Sequence, residues 1–249
     1  IFLEAGSSFT NENNAIIDNS GVIALTTAQF TNTDTAILNN LTNSSLSLYN
    51  SAIFDNLSNA TITNTDANII VNSSTLNNYA IINNFSNTDF DIKTNASVYN
   101  FGFISSNNST MIDIESGSVF SNDSGLISNN DNVIMTFNNS NFNNLNSGVV
   151  NNYGTTAFRF LSSAVGVSND TSSINNYGTS SFFISVASFN NQGSAFISNY
   201  QSSIMTINQS NFHNLANSTL ICANSSTLVI SGGGTLNNDN NGNNFNSLR

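Results

Sequence analysis

An apolar residue followed two positions later by Asn recurs along almost the whole chain, and this feature constrains the fold most strongly. The eleven pairs begin with Phe9/Asn11 and end with Leu236/Asn238, and successive Asn residues lie 21 to 25 positions apart. An Asn-rich composition alone would not keep the pairs at this regular spacing. Self-similarity at a fixed period is the signature of a repeat architecture. The Asn residues of this first register are Asn11, Asn32, Asn56, Asn78, Asn100, Asn122, Asn144, Asn169, Asn191, Asn214 and Asn238.

A second register of apolar-x-Asn pairs follows the first by about eight residues. Two units depart from it and carry Ile104/Ser106 and Ile221/Ala223. The Asn residues of the second register are Asn19, Asn40, Asn64, Asn84, Asn129, Asn152, Asn176 and Asn199.

A third register consists of two apolar residues with one residue between them, as in Ile23/Leu25. A spacing of two places both residues on the same face of a β-strand. Between the registers lie the turn-forming residues Asn, Ser, Thr, Asp and Gly, as in Asn32-Thr33-Asp34. Three short strands and three turns per unit predict an all-β parallel β-solenoid of about ten coils, each of about 23 residues and rising about 4.8 Å.

Inward-facing Asn side chains are costly to bury unless their amides are hydrogen-bonded. In a stack of coils, each amide can bond the Asn above and below it, or the backbone of a turn. We therefore interpret the two Asn registers as structural ladders rather than as a row of ligand-binding amides.

The repeat pattern predicts a β-solenoid over residues 1–231, with no linker or break in composition inside it. The Gly- and Asn-rich residues 232–249 begin a further coil with Leu236 and Asn238 and then lose the pattern, so they are predicted to form a partial last coil or a tail. Neither end carries a clear cap. Solenoids without caps tend to stack end to end.

The charge balance excludes several partners. The net charge is −11, and the only basic residues are Lys93, Arg159 and Arg249. A nucleic acid needs a cationic surface, so it is not an expected partner. No apolar run is long enough for a transmembrane helix, so membrane insertion is not expected either. Cys222 is the only cysteine, which rules out a disulfide within one chain.

A carbohydrate-active enzyme must be considered because many β-helices act on polysaccharides. The best candidate constellation is Asp91 and Lys93 beside Asp113 and Glu115, at matching positions of adjacent coils. Carboxylates about 5 Å apart are typical of retaining glycosidases. We favour a solvated surface ladder in which Lys93 offsets Glu115, and we predict no catalytic residues.

Other site chemistry has weaker support. His213 is the only histidine, so neither a His-based metal site nor a catalytic triad is marked by a motif. Cys222 follows Ile221 and is expected near a turn. Asp34, Asp66 and Asp89 could bind calcium only weakly, since the repeat motif of calcium-binding β-rolls is missing. No cofactor or metal is predicted.

Ice binding would need a regular outward row of Thr. The outward residues between the third-register pairs form an irregular row instead, which disfavours it: Ala24, Ser47, Ile70, Asp91, Asp113, Thr136, Arg159, Phe183, Thr206 and Val229.

Asn-x-Ser/Thr sequons are numerous and could carry glycans on a secreted protein. The ladder sequons at Asn56, Asn84, Asn122 and Asn169 are expected to be buried. The candidate glycosylation sites are Asn43, Asn59, Asn72, Asn95, Asn108, Asn208, Asn217 and Asn224.

Three segments carry a resemblance to known proteins: Ala80-Ile81-Ile82-Asn83-Asn84, Gly148-Val149-Val150-Asn151-Asn152-Tyr153-Gly154 and Ser173-Ile174-Asn175-Asn176-Tyr177-Gly178. They resemble the Asn-rich coils of autotransporter passenger domains, haemagglutinin-type adhesins and extracellular sheath or fibre proteins. The resemblance implies an extracellular or cell-surface scaffold.

The leading expectation is a structural subunit of an extracellular filament, sheath or surface fibre, which would associate with itself by stacking coils end to end. The alternative is the stalk or binding module of a larger cell-surface protein, joined to neighbouring domains. The third and least favoured is a carbohydrate-active β-helix enzyme.

Overall fold

The computed structural model describes residues 1–239 and the backbone of residues 245–246. The chain winds through three parallel sheets, each of 11 strands, and every third strand along the sequence pairs with its predecessor in the same sheet. This confirms the predicted parallel β-solenoid with three strands per coil. The first strand, Phe2–Leu3, and the last, Phe245–Asn246, have two residues each.

The third register forms sheet A. Its strands are β1 (Phe2–Leu3), β4 (Val22–Thr26), β7 (Ser45–Tyr49), β10 (Asn68–Asn72), β13 (Asp89–Lys93), β16 (Met111–Glu115), β19 (Ile134–Asn138), β22 (Ala157–Leu161), β25 (Ser181–Ser185), β28 (Ile204–Asn208) and β31 (Thr227–Ser231).

The first register forms sheet B. Its strands are β2 (Ser8–Asn11), β5 (Gln29–Asn32), β8 (Ile53–Asn56), β11 (Thr75–Asn78), β14 (Ser97–Asn100), β17 (Val119–Asp123), β20 (Asn141–Leu145), β23 (Val165–Ser168), β26 (Ser188–Asn191), β29 (Asn211–Asn214) and β32 (Thr235–Asn238).

The second register forms sheet C. Its strands are β3 (Ile16–Asn19), β6 (Ile37–Asn40), β9 (Thr61–Thr65), β12 (Ile81–Phe85), β15 (Phe103–Asn107), β18 (Leu126–Asn130), β21 (Val149–Tyr153), β24 (Ser173–Asn176), β27 (Phe196–Asn199), β30 (Thr219–Cys222) and β33 (Phe245–Asn246). The strands β32 and β33 therefore carry sheets B and C into the Gly- and Asn-rich residues 232–249.

Apart from Val167 and Ile221, the apolar residues of the three registers point inward and form one continuous core. Both apolar positions of sheet A are fully buried in the central coils, as at Phe158 and Phe160. In sheet B, equivalent Phe rings stack between coils; the Phe30 and Phe54 centroids lie 4.7 Å apart at an interplanar angle of 9°. Such stacking adds to the area that each ring buries.

The first-register Asn side chains form a ladder along sheet B. In each step, Nδ2 of one Asn donates to Oδ1 of the Asn in the next coil, from Asn11 to Asn32 at 2.9 Å and onward to Asn144. The same amides also donate to backbone carbonyls; Asn56, for example, bonds Ile81 O at 3.0 Å. The ladder thus satisfies amides that are fully buried in the central coils.

The second-register ladder in sheet C is built in the same way but in shorter runs. One run joins Asn129, Asn152, Asn176 and Asn199, with steps of 2.8–2.9 Å. Elsewhere, Asn40 donates to the backbone O of Asn68.

Three buried Oδ1 atoms lack a hydrogen-bond partner in the described part of the chain, those of Asn64, Asn129 and Asn191. Each lies directly after an interruption of a ladder.

Asn169 does not belong to the ladder, and this prediction was wrong. In β23, Gly166 is in register with Phe142 and Phe189, and Ser168 is in register with Asn144 and Asn191. The register is therefore shifted by one residue, which places Asn169 in the following turn. Gly166 is needed because a Cβ there would lie 2.2 Å from Cδ2 of Phe189.

The last unit of the second register was also misassigned by one residue. Leu220 is in register with Ile197, and Cys222 is in register with Asn199, so the inward pair is Leu220/Cys222 rather than Ile221/Ala223. Cys222 therefore takes a ladder position and does not point into a turn.

Many turns contain a residue in the left-handed region. These residues are mostly Asn, Asp and Ser, such as Asp34 (φ 60°) and Asp66 (φ 49°). Asn and Asp tolerate this conformation because their short side chains bond locally. Three β-branched residues, which are strained there, also take this conformation: Thr27, Thr94 and Val186 (φ 53°). Val186 differs from the two Thr residues because it has no hydroxyl that could form a local hydrogen bond.

Replacing Val186 with Asn should raise the free energy of unfolding by about 1 kcal/mol, because the strain is relieved. The Val186 side chain is 53% exposed, so little packing is lost. Denaturant unfolding measures the gain. Val229→Asn, at an exposed strand position, is the control and should bring no gain. An unchanged Val186→Asn midpoint would contradict the prediction.

Candidate functional site

The outward face of sheet A carries the charged constellation predicted from the sequence. Asp91 and Asp113 are direct register partners on β13 and β16, so their strands lie about 4.8 Å apart. Lys93 Nζ lies 2.8 Å from Asp91 Oδ2. The predicted offset of Glu115 by Lys93 acts only through space, as a charge interaction that raises the pKa of Lys93. Lys93 instead bonds the carboxylate two residues earlier, which projects from the same face of the same strand.

The charged group consists of Asp91, Lys93, Asp113 and Glu115, and its environment shifts the pKa values of Asp113 and Lys93. Burial raises the pKa of Asp113, a hydrogen bond from Thr136 opposes the shift, and the negative charge of Asp91 adds to it. The hydrogen bond to Asp91 raises the pKa of Lys93, and burial opposes that rise. Asp113 is thus the carboxyl of this group best suited to hold a proton, as a general acid must.

Arg159 lies on the same face, two strands beyond Asp113. It lines a shallow surface cavity of about 300 Å³ with Leu161, Ser181 and Phe183. Arg159 and Phe183 are register partners on β22 and β25. Residues 1–239 form one ion pair, between Lys93 and Asp91, so Arg159 has no carboxylate partner among these residues.

A larger surface cavity of about 470 Å³ lies at the turns between sheets C and A. Asn43, Asp66, Asn68 and Asn87 are among its lining residues. Asp66 Oδ1 accepts hydrogen bonds from the backbone N and from Nδ2 of Asn87, each at 3.2 Å. Nowhere in residues 1–239 do three His, Cys, Asp or Glu side chains converge as a metal site would require.

The lone His and Cys lie apart from the charged group. His213 is on the outward side of β29, where Asn237 Nδ2 lies 3.5 Å from its Nδ1. Cys222 is half-buried at the end of the sheet C ladder, and burial raises the pKa of its thiol. A raised pKa lowers the thiolate fraction and hence the nucleophilicity of Cys222.

Two stacks of surface aromatic rings were not predicted. Tyr153, Tyr177 and Tyr200 stack with centroid spacings of 5.1 and 5.4 Å, and Tyr79 stacks on Phe101 at 4.6 Å. The recurring Tyr-Gly at residues 153–154 and 177–178 was the available signal. Ring faces within a stack cover one another, so these rings offer mainly edges and hydroxyls to a ligand.

The open edges of the sheets form the second candidate surface. At one end of the described coils, Ile230 of β31 is 46% exposed, whereas its register partner Ile207 is fully buried. At the other end, the inward residues Leu3, Phe9 and Ile17 are only partly buried, whereas the register partners Leu25, Phe30 and Leu38 are fully buried. These edges present unpaired backbone groups next to apolar core residues, which is a template for pairing with another coil.

The candidate glycosylation sites differ in exposure. Asn72 and Asn208 are half-buried, and the exposed ones are Asn43, Asn59, Asn95, Asn108, Asn217 and Asn224. The ladder sequons at Asn56, Asn84 and Asn122 are fully buried. Asn169, predicted to be buried, is only half-buried in its turn.

No helix in the described residues has the length and apolar character needed to cross a membrane. No family model, curated protein or solved structure matches the chain.

Proposed function

We propose that the chain is a structural subunit of an extracellular filament, sheath or surface fibre, and that subunits associate by stacking their end coils. The observation that carries this proposal is the pair of open edges, where inward apolar positions such as Ile230 lose the cover that they have in every central coil. Adding a coil there would bury these side chains and pair the free backbone groups.

The role is mechanical rather than catalytic. Continuous parallel sheets, a packed aromatic core and amide ladders make each coil dependent on its neighbours, so local opening is disfavoured. The charged group around Asp91 and Asp113 lies on the outward face of a sheet, with the ion pair to Lys93 as its main contact.

A stalk in a larger surface protein is the alternative. The same edges would then be covered by coils or domains of one longer chain. The unbroken strand order of the three sheets suits this role equally well, so the self-association of the chain decides between the two.

Electron microscopy of the concentrated chain should show fibres with an axial repeat of about 4.8 Å. Leu228→Lys should abolish them. Leu228 is half-buried in the last strand of sheet A, so a Lys there can reach solvent in a single rod but would be buried in a joint. Asn190→Lys, on the outward side of sheet B, is the matched control and should leave the fibres intact.

Two results would overturn the end-to-end proposal. One is that the chain remains as rods about 50 Å long at every concentration, which would favour the stalk. The other is that Leu228→Lys fibres form as readily as those of the unchanged chain.

A further inference from the structure

The outward face of sheet A differs from the other two faces. Both basic residues of the described chain, Lys93 and Arg159, lie on it, together with four carboxylates on β13 and β16: Asp89, Asp91, Asp113 and Glu115. By contrast, each strand of sheet C from β3 to β27 has a small polar residue at the outward position between its two inward residues. These residues are all Asp, Asn, Ser or Thr, from Asp18 to Ser198. Charge of both signs on one face gives that face the means to recognise a partner.

The middle row of this face consists of the outward residue at the centre of each sheet A strand, such as Asp91 on β13. If the row is divided at a point between β16 and β19, each residue on one side can be compared with the residue at the same distance on the other side, and the members of these pairs are complementary. Asp113 then corresponds to Thr136, Asp91 to Arg159, and Ile70 to Phe183. An acid meets a base, and an apolar residue meets an apolar residue.

The flanking rows follow the same symmetry. On one side Met111 corresponds to Ile134, and on the other Glu115 corresponds to Asn138. No two residues of like charge correspond in any of the three rows.

From this pattern we propose that two copies of the chain pair face to face through sheet A. The two rods run antiparallel about a two-fold axis that lies between the two faces, along the strand direction and between β16 and β19. Arg159 of each copy then meets the carboxylate group around Asp91 of the other. Packed sheets are about 10 Å apart, which these side chains can span.

Other arrangements fit the charges less well. A two-fold axis along the rod would place every coil opposite itself, with Asp113 against Asp113 and Arg159 against Arg159. Moving the axis onto β19 would place Asp113 against Arg159, but it would also place the charged Asp91 against the apolar Phe183. Like-charge contacts oppose association strongly and exclude the axis along the rod. The axis between β16 and β19 is favoured over the one on β19 because it matches Asp91 with Arg159 and Ile70 with Phe183 at the same time.

The size of the face is adequate. Five-residue strands give a width of about 16 Å, and about ten coils give a length of about 48 Å. The product is about 800 Å² on each copy, which matches a stable interface of ordinary size. This pairing uses the side of the rod and not its ends, so it does not depend on the proposed end-to-end stacking.

Charge reversal tests the proposal on the complete 249-residue chain. Sedimentation equilibrium in low salt should show a dimer, or laterally paired fibres if the ends also stack. Asp91→Arg and Arg159→Asp should each raise the dissociation constant of the lateral pair about tenfold or more. The double variant should return it to within about threefold of the unchanged chain, because the swapped charges meet again.

Asp170→Arg, in the turn between β23 and β24, is the control and should leave the pairing unchanged although it alters the net charge equally. Circular dichroism confirms that each variant is folded. The proposal is overturned if the unchanged chain shows no lateral pairing, if the double variant is as weak as the single ones, or if Asp170→Arg weakens the pair as much as Asp91→Arg does.

Discussion

Replacing Asn191 with Asp should destabilise the solenoid by about 3–5 kcal/mol at neutral pH, as expected when a buried charge is left unpaired. Asn191 is fully buried, and its Nδ2 donates to Asn214 Oδ1 at 2.8 Å, to Thr219 O at 3.1 Å and to Ala195 O at 3.4 Å. A carboxylate is nearly the same shape but can only accept, so it would face three acceptors.

The effect should depend on pH. A buried, unpaired Asp has a folded-state pKa above its unfolded value of about 3.9. The folded state then binds the proton more tightly, so stability falls as the pH rises from the unfolded value through the folded one. Denaturant unfolding at pH 4 and pH 7 should therefore show the larger loss at pH 7.

Asn190→Asp is the matched control for this prediction. Asn190 is the preceding residue on the same strand and lies on its outward side, half-exposed to solvent. The same change of charge there should alter stability by less than about 0.5 kcal/mol. Equal losses at the two positions would contradict the structural role of the ladder.

Gly166→Ala should cost about 3 kcal/mol through overpacking. The added Cβ would lie 2.2 Å from Cδ2 of Phe189 and 2.8 Å from Cε1 of Phe160. The Phe189 ring is held between Phe160, at 5.1 Å, and Phe212, at 5.8 Å, so it has little room to move.

Removing the ring should relieve the clash. Phe189→Ala alone should cost about 3–5 kcal/mol, and the double variant about the same, because the new methyl enters the vacated space. The double-mutant cycle should then give a coupling of about 2–3 kcal/mol. Gly21→Ala is the control, since a Cβ there has no neighbour within 4 Å. Additive losses at Gly166 and Phe189 would contradict this account of the packing.

The repeat period carried most of the information about the fold. A spacing of two with a recurrence of 21 to 25 residues fixes strand direction, inward positions and coil number together. It therefore placed the Phe column and most of the Asn ladder correctly. The adjacency of Asp91 and Asp113 followed from the same register.

Shifts of a single residue could not be predicted in this way. In β23, the sequence offers Val167/Asn169, which matches the pattern, yet Gly166/Ser168 points inward because the rings of Phe189 and Phe160 fill the space beside Gly166. Such a choice depends on the volume available in adjacent coils, and that volume is a tertiary property.

The small residues that enter each strand were also overlooked. Ala36, Ala60 and Ala96 are fully buried at these positions. At many other strands the residue is Ser or Thr, and in several of these the hydroxyl bonds the carbonyl three residues earlier; Thr156 Oγ1, for example, donates to Tyr153 O at 2.7 Å, and Thr88 Oγ1 donates to Phe85 O at 2.8 Å. A recurring Ala, Ser or Thr just before most strands was the available signal.

The amide ladder of sheet B also gives the rod a direction. In every step from Asn11 to Asn144, the donor belongs to the earlier coil and the acceptor to the later one. Hydrogen bonds aligned in this way polarise one another. The first Asn of a run has an Oδ1 that no ladder amide reaches, as at Asn191, and the last Asn donates to the backbone instead of to another Asn, as Asn144 does to Gly148 O and Ser173 O. Rods that continue the ladder must therefore join head to tail. Any fibre built by end stacking has a distinguishable front and back, whereas the side-by-side pair cancels that polarity.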